Sequence, residues 1–255
     1  MAVDRAPTTG VVFRPQSPPE ELRAVVAHAE AAGIAELWLW EDCFLEGGLT
    51  TATAALSWSE RLVVGVGLLP VPLRNPALAA MEIATVARLF PDRLVVTLGH
   101  GVQDWMAQVG AAVESPLTLL REHTAAVRSL LAGERVDVSG RYVRLAQVAL
   151  DWPPAVPPRL LVGGRGPRTL ALAAAEADGV LLDGDADIDA VRRARTLVGE
   201  SAHLGVYTPV EPGDLSGLGA LIGALAEAGA DTVILQAPGD APDPRPLIDA
   251  LGSLS

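Results

Sequence analysis

The sequence predicts a TIM (β/α)8 barrel, and three observations predict it. Short apolar, β-rich runs alternate with stretches of helical period eight times within 255 residues, which is the size and rhythm of that fold. The strand-like runs are almost continuous in apolar residues, as strands covered on both faces are. The first strand-to-helix turn, Arg14-Pro15-Gln16, lacks the glycine fingerprint of a doubly wound open sheet. No linker or shift in composition divides the chain, so residues 1–255 read as one barrel domain.

The elements follow in order. Val11 to Arg14 reads as the first strand and Pro19 to Ala32 as its helix, with Leu22, Val25, Val26 and Ala29 on one face and Gly33 as the stop. Leu37 to Trp40 is the second strand, Thr50 to Ser57 a short helix and Leu62 to Leu69 the third strand. Pro76 to Leu89 is a helix with proline in its first turn, closed by Phe90-Pro91-Asp92, and Leu94 to Leu98 is the fourth strand. A short helix spans Val102 to Gln108. The amphipathic helix Pro116 to Leu131 follows, with Ser115 as expected N-cap and Leu117, Leu120, Val127, Leu130 and Leu131 on its face. Val136 to Val138 and Tyr142 to Leu145 read as a surface hairpin around Ser139-Gly140, before a proline-rich loop, Trp152 to Pro158. Leu160 to Val162, Val180 to Leu182, Leu204 to Thr208 and Thr232 to Leu235 complete the strands. Helices are expected over Pro167 to Glu176, Ile188 to Val198, Leu215 to Ala228 and Pro246 to Leu251.

Composition excludes several classes of function. A formal net charge of −12 disfavours a broad basic groove for nucleic acid or an anionic membrane. No apolar run approaches the roughly 18 residues of a membrane span, and the N-terminus does not read as a signal peptide. A cytoplasmic protein is expected. The lone Cys43 cannot form an internal disulfide, and two acids beside it disfavour its thiolate. All 19 basic residues are Arg. Without lysine there is no Walker phosphate loop, no Schiff-base aldolase chemistry and no anchored pyridoxal phosphate. No histidine pair has metal-ligand spacing, so no metal site is expected, and Gly199-Glu200-Ser201-Ala202-His203 misses the nucleophile elbow at its last position.

In a barrel the chemistry sits at the carboxyl ends of the strands. After the second strand, Trp40-Glu41-Asp42-Cys43-Phe44 offers two adjacent acids, either for holding a substrate proton or as a helix cap with a solvated neighbour. After the fourth, Gly99-His100-Gly101-Val102 sets a histidine between glycines that let the backbone approach a flat ligand. The alternative is a structural histidine. His28 and His123 fall within helices and His203 before a strand. After the fifth barrel strand, Gly163-Gly164-Arg165-Gly166-Pro167-Arg168-Thr169 opens into a helix. Exposed amides, the helix N-terminus and two arginines, with Arg74 as a third candidate, suit an anion, unless the glycines only make the turn. Gly65 and Gly67 in the third strand suggest a bulge or close approach at the barrel mouth, or tight packing alone.

Together, Phe13-Arg14-Pro15-Gln16, Leu37-Trp38-Leu39-Trp40-Glu41-Asp42-Cys43-Phe44, Leu73-Arg74-Asn75-Pro76, Gly99-His100-Gly101-Val102-Gln103-Asp104-Trp105-Met106 and Gly164-Arg165-Gly166-Pro167-Arg168-Thr169-Leu170 resemble a known family. It is the bacterial luciferase-like monooxygenase superfamily, and within it the actinobacterial oxidoreductases that use the deazaflavin coenzyme F420. The resemblance runs in order from about Val11 to Leu182 and fades beyond. It implies a TIM-like barrel with a flavin or deazaflavin at its mouth. The cofactor phosphate is then held by Gly163, Gly164, Arg165, Gly166, Pro167 and Arg168. A bulge at Gly67 and Leu68, often with a non-prolyl cis peptide, backs the ring, and Trp40, Gly99, Gly101 and Val102 also touch the cofactor. Trp40 borders the substrate side too, with Glu41, Asp42 and His100, the three candidate catalytic residues. Asp42 stands where many relatives carry His. The chain is shorter than most relatives, which implies a reduced late insertion.

The implied reaction is hydride transfer between coenzyme F420 and a small organic substrate, with an acid or base near His100, Glu41 or Asp42 handling the proton. A homodimer is expected, since many members dimerise. The alternatives are a monooxygenase using flavin mononucleotide (FMN) and a non-catalytic cofactor-binding barrel. A phosphosugar isomerase or aldolase would share the glycine turn but needs a carboxylate base and usually a metal or lysine.

Overall fold

Alternating βα units bury their apolar strands on both faces by closing into a ring, and the computed structural model, which describes residues 6–184, 186–211, 213 and 215–254, shows that ring. Eight parallel strands close in the order β1-β10-β9-β8-β7-β4-β3-β2. They are β1 (Thr8–Phe13), β2 (Glu36–Leu39), β3 (Val63–Pro70), β4 (Leu94–Gly99), β7 (Arg159–Gly163), β8 (Gly179–Leu182), β9 (His203–Pro209) and β10 (Thr232–Gln236). β5 (Val136–Ser139) and β6 (Arg144–Val148) form a separate antiparallel hairpin. The helices are α1 (Leu22–Ala31), α2 (Gly48–Ser57), α3 (Pro76–Leu89), α4 (Gln103–Gln108), α5 (Pro116–Leu131), α6 (Pro167–Glu176), α7 (Ile188–Val198), α8 (Leu218–Glu227) and α9 (Arg245–Gly252).

Strand alternation divides the core in two. Val12, Trp38, Val95, Leu161, Leu181, Tyr207 and Ile234 fill the barrel interior. Their neighbours along each strand, such as Val11, Leu37, Val96 and Leu235, point outward against the helices. The α1 face is as expected, with Leu22, Val25, Val26 and Ala29 all buried. In α3, Pro76 stands in the first turn and Asn75 Oδ1 accepts from Ala77 N at 2.9 Å, capping the helix.

Several expectations need correction. β1 starts at Thr8 and leaves Arg14 outside, because its ladder to β10 begins at Thr8 opposite Thr232. The stretch Pro19–Glu21 is a 3-10 turn preceding α1, and α8 begins at Leu218, later than the expected Leu215. His203 opens β9 instead of preceding it. Ser115 occupies the N-cap position of α5 but makes no side-chain cap; its Oγ lies 2.8 Å from Thr118 Oγ1. On that helix Leu119 is buried, whereas Leu117 is only partly so. Tyr142 and Val143 lie in the hairpin turn. Their amides, with that of Arg141, donate to the Glu122 carboxylate at 2.8–3.0 Å. Burial alone would raise the Glu122 pKa, and those three donors outweigh it and hold it below the usual range.

No helix among the described residues is long and apolar enough to cross a membrane.

Candidate active site

A cavity of about 440 Å³ opens at the carboxyl ends of the barrel strands. Its lining joins residues from seven of the eight barrel strands or the turns after them, among them Trp40 and Asp42 after β2, His100 and Trp105 after β4, and Tyr207 in β9. A second depression of about 460 Å³ lies on the outer surface against α3, away from these strand ends.

The floor is built by Leu68. The β3 ladder to β4 shifts register between Gly67 and Leu69, so a bulge stands where the sequence suggested one, and the Gly67-Leu68 peptide is cis. Leu68 lies against two neighbouring strand ends. A Cβ on Gly99 would come within 2.5 Å of Leu68 Cδ2, and one on Gly163 within 2.7 Å. Those glycines leave the room that the Leu68 side chain occupies beside the bulge. Gly67 itself answers to Tyr207, whose hydroxyl donates to the Gly67 carbonyl at 2.9 Å and would sit 2.2 Å from any Cβ there.

The two adjacent acids part company. Glu41 is buried and ion-paired through both carboxylate oxygens with Arg74, at 2.8 Å for Oε2 to Nη2, and Oε2 also accepts from Gly48 N at 2.7 Å. Arg74 further reaches Glu82 at 3.2 Å. These bonds tie the loop after β2 to the segment after β3 and to the start of α2. Arg74 is thereby occupied by carboxylates, which corrects its candidacy as an anion ligand.

Asp42 makes no such pair among the described residues. Burial raises its carboxyl pKa, while the charge of Arg14 acts in the opposite sense. Arg14 lies 4.7 Å above the Trp40 ring, with donors on Ala237 O at 2.8 Å and Gln16 Oε1 at 3.0 Å. Across the cavity lining, burial lowers the His100 pKa below the ordinary imidazole value, and its Nε2 is 3.4 Å from Thr169 Oγ1 at the start of α6. Burial thus disfavours the charged form of each group, and the two proton-carrying side chains share one cavity.

The expected anion turn has two parts. Gly163 and Gly164 line the cavity, and Gly164 N donates to Leu181 O at 3.0 Å. Arg165, Gly166, Pro167 and Arg168 lie outside the lining as the exposed start of α6. Arg165 is ion-paired with Asp183 at 3.2 Å, both side chains half-exposed. Gly101 adopts a left-handed φ of 68°, packed against Pro70 and Met106, and lines the cavity with Val102; Gly99 does not reach it. Sequence reasoning missed Tyr207, Leu181, Asp183, Gly184 and Gln236. The signal existed: the strand-end rule applied to β2, β3, β4 and β7 also points to the ends of β8 and β10.

The model of the luciferase-like monooxygenase family matches residues 3–205. The chain belongs to that family. Among its curated relatives, 5,10-methylenetetrahydromethanopterin reductase from Methanolobus tindarius is 28% identical over 176 residues, 69% of this chain and 54% of that protein. F420-dependent glucose-6-phosphate dehydrogenase from Beutenbergia cavernae is 31% identical over 185 residues, 65% of this chain and 53% of that one. The chain thus spans about half the length of these luciferase-like relatives. A solved F420-dependent secondary alcohol dehydrogenase, in complex with an F420-acetone adduct, superposes with a TM-score of 0.84 over 98% of this chain and 98% of that one, at 17% identity, a likeness of fold.

Proposed function

We propose that the protein is an oxidoreductase transferring a hydride between the deazaflavin coenzyme F420 and a small organic substrate in the strand-end cavity. The observation that carries this is the cavity itself, built on the Leu68 floor in a chain of this family, some of whose curated relatives are named as F420-dependent dehydrogenases. The residues present fit such a group. Gln236 Oε1 belongs to a lining residue, is buried and has no hydrogen-bond partner among the described residues, so the site holds an acceptor that a heteroaromatic ligand would satisfy. A Cβ on Gly166 would meet nothing within 4 Å, so the start of α6 is open to an approaching anion.

When bound, the deazaflavin supplies a two-electron hydride carrier. The chain does the rest. Leu68 and Gly67 back the ring, Gly101 and Val102 border it, and Gly163 and Gly164 with Arg165 and Arg168 hold the phosphate and tail. Trp40 excludes water from one wall. Asp42 and His100 take up or release the substrate proton, and Glu41 positions the Asp42 loop through Arg74.

Titration followed by absorbance and fluorescence tests the assignment: F420 should give a saturable ring shift. Tight binding of FMN alone turns the reading to the monooxygenase alternative, and no shift with either overturns it. The same reading places the protein in the cytoplasm, in accord with the free thiol of Cys43. For a homodimer, the exposed Leu78, Met81 and Leu89 of α3 beside Trp152 supply an apolar face. Sedimentation showing only monomer at micromolar concentration rejects the dimer.

A further inference from the structure

We infer that the substrate is an uncharged, predominantly apolar compound carrying one hydroxyl or carbonyl as its reacting group, and not a phosphorylated or carboxylated one. This rests on reading the cavity as the redox site. Among the described residues no arginine belongs to its lining, and of its carboxylates Glu41 and Asp183 are paired with Arg74 and Arg165. Among the described lining residues Asp42 is left as the remaining acid, and no cation stands there to bind an anionic substrate. Arg14, the guanidinium nearest Asp42, lies over Trp40 outside the lining, with donors on Ala237 and Gln16.

The walls carry the apolar side of the argument. Leu68, Pro70, Val102, Trp105, Leu181 and Leu182 line the cavity with apolar side chains. The loop after β2 then presents Phe44 at 65% and Leu45 at 55% exposure, two and three residues beyond Asp42, with Leu45 N bonded to Asp42 O at 2.8 Å. On the other side Val102 is 47% exposed. Large apolar side chains held in water on segments that continue directly from the lining offer surface that a greasy ligand covers. In the oxidative direction the carbinol C–H bond breaks with its electron pair going to the deazaflavin. The hydroxyl proton goes to Asp42 or His100, and a C=O bond forms.

The test is a series of 2-alkanols of increasing length with F420, compared with glucose 6-phosphate. We expect kcat/KM to rise about fourfold per added methylene and no turnover of the sugar phosphate. The paired change Phe44→Ser, Leu45→Ser should raise KM for the longer alkanols about tenfold while leaving F420 affinity unchanged, which also shows that the variant is folded. The same alkanols are titrated into cofactor-free protein, read by the fluorescence of Trp40 and Trp105. If F420 binds but the series is flat, or the sugar phosphate is preferred, the inference falls and the cofactor assignment stands. If F420 does not bind while alkanols quench with a chain-length trend, the cofactor assignment falls and the apolar ligand class stands.

Discussion

His100 and Asp42 reach the cavity by different routes but suffer the same physics. Removing either group from water disfavours its charged form, which lowers an imidazole pKa and raises a carboxyl one. In single-turnover measurements His100→Ala and Asp42→Asn should each slow the hydride step about a hundredfold or more, with cofactor affinity little changed. If both variants keep the wild-type rate, the proton assignment is wrong. Glu41→Gln should behave differently. It leaves Arg74 facing a neutral amide in a half-buried site and should cost about 3 kcal/mol of stability, read as a lower melting temperature, before any selective loss of the proton step. The position of Glu41 was legible from its place after β2. Its partner was not, because Arg74 is 33 residues away in sequence and nothing local announces the pairing.

The start of α6 is the short stretch of chain to which the coenzyme tail is assigned in the proposed function. Its glycines and its N-terminal turn were plain in the sequence, as was the strand before it. Hidden was the Asp183 carboxylate from the β8 end, which competes for Arg165. Arg165→Ala and Arg168→Ala should each weaken F420 binding several-fold at low ionic strength, and the loss should shrink in roughly 0.5 M salt as exposed charges are screened. Binding of a deazaflavin lacking phosphate and tail should be indifferent to both changes. Equal losses for the truncated and full coenzymes would move the anion site elsewhere. The hairpin teaches the same lesson in reverse. Local pattern assigns Tyr142 and Val143 to a strand, but a carboxylate on α5 gathers their amides into a turn.

The assembled barrel also buries histidines that the mechanism does not use. Burial pulls His123, on α5, and His203, at the start of β9, down to about 4. An unfolded chain binds those protons near pH 6.5, so between pH 6.5 and 4 the unfolded state holds more protons than the native one. Stability is full above that window and falls as the pH drops through it. At pH 5 His123 alone should cost about 2 kcal/mol, lowering the melting temperature by about 4–8 °C, and His203 acts in the same direction. His123→Phe should flatten part of this dependence. A melting temperature unchanged between pH 7 and pH 5 contradicts the burial of both rings.

Alternation of apolar runs with helical periods was enough to specify an eight-stranded parallel barrel, because that pattern is set by which faces each segment must hide. It also pointed to the strand ends after β2, β4 and β7, since the chain must turn there. The partnerships of those ends came from ring closure, which brings together groups 140 residues apart, as with Tyr207 and Gly67. So Glu41 became a strut and Gly99 a seat for Leu68, while Asp42 remained the acid without a salt bridge among the described residues. Each of those outcomes depends on distance through space, and local sequence carries no record of it.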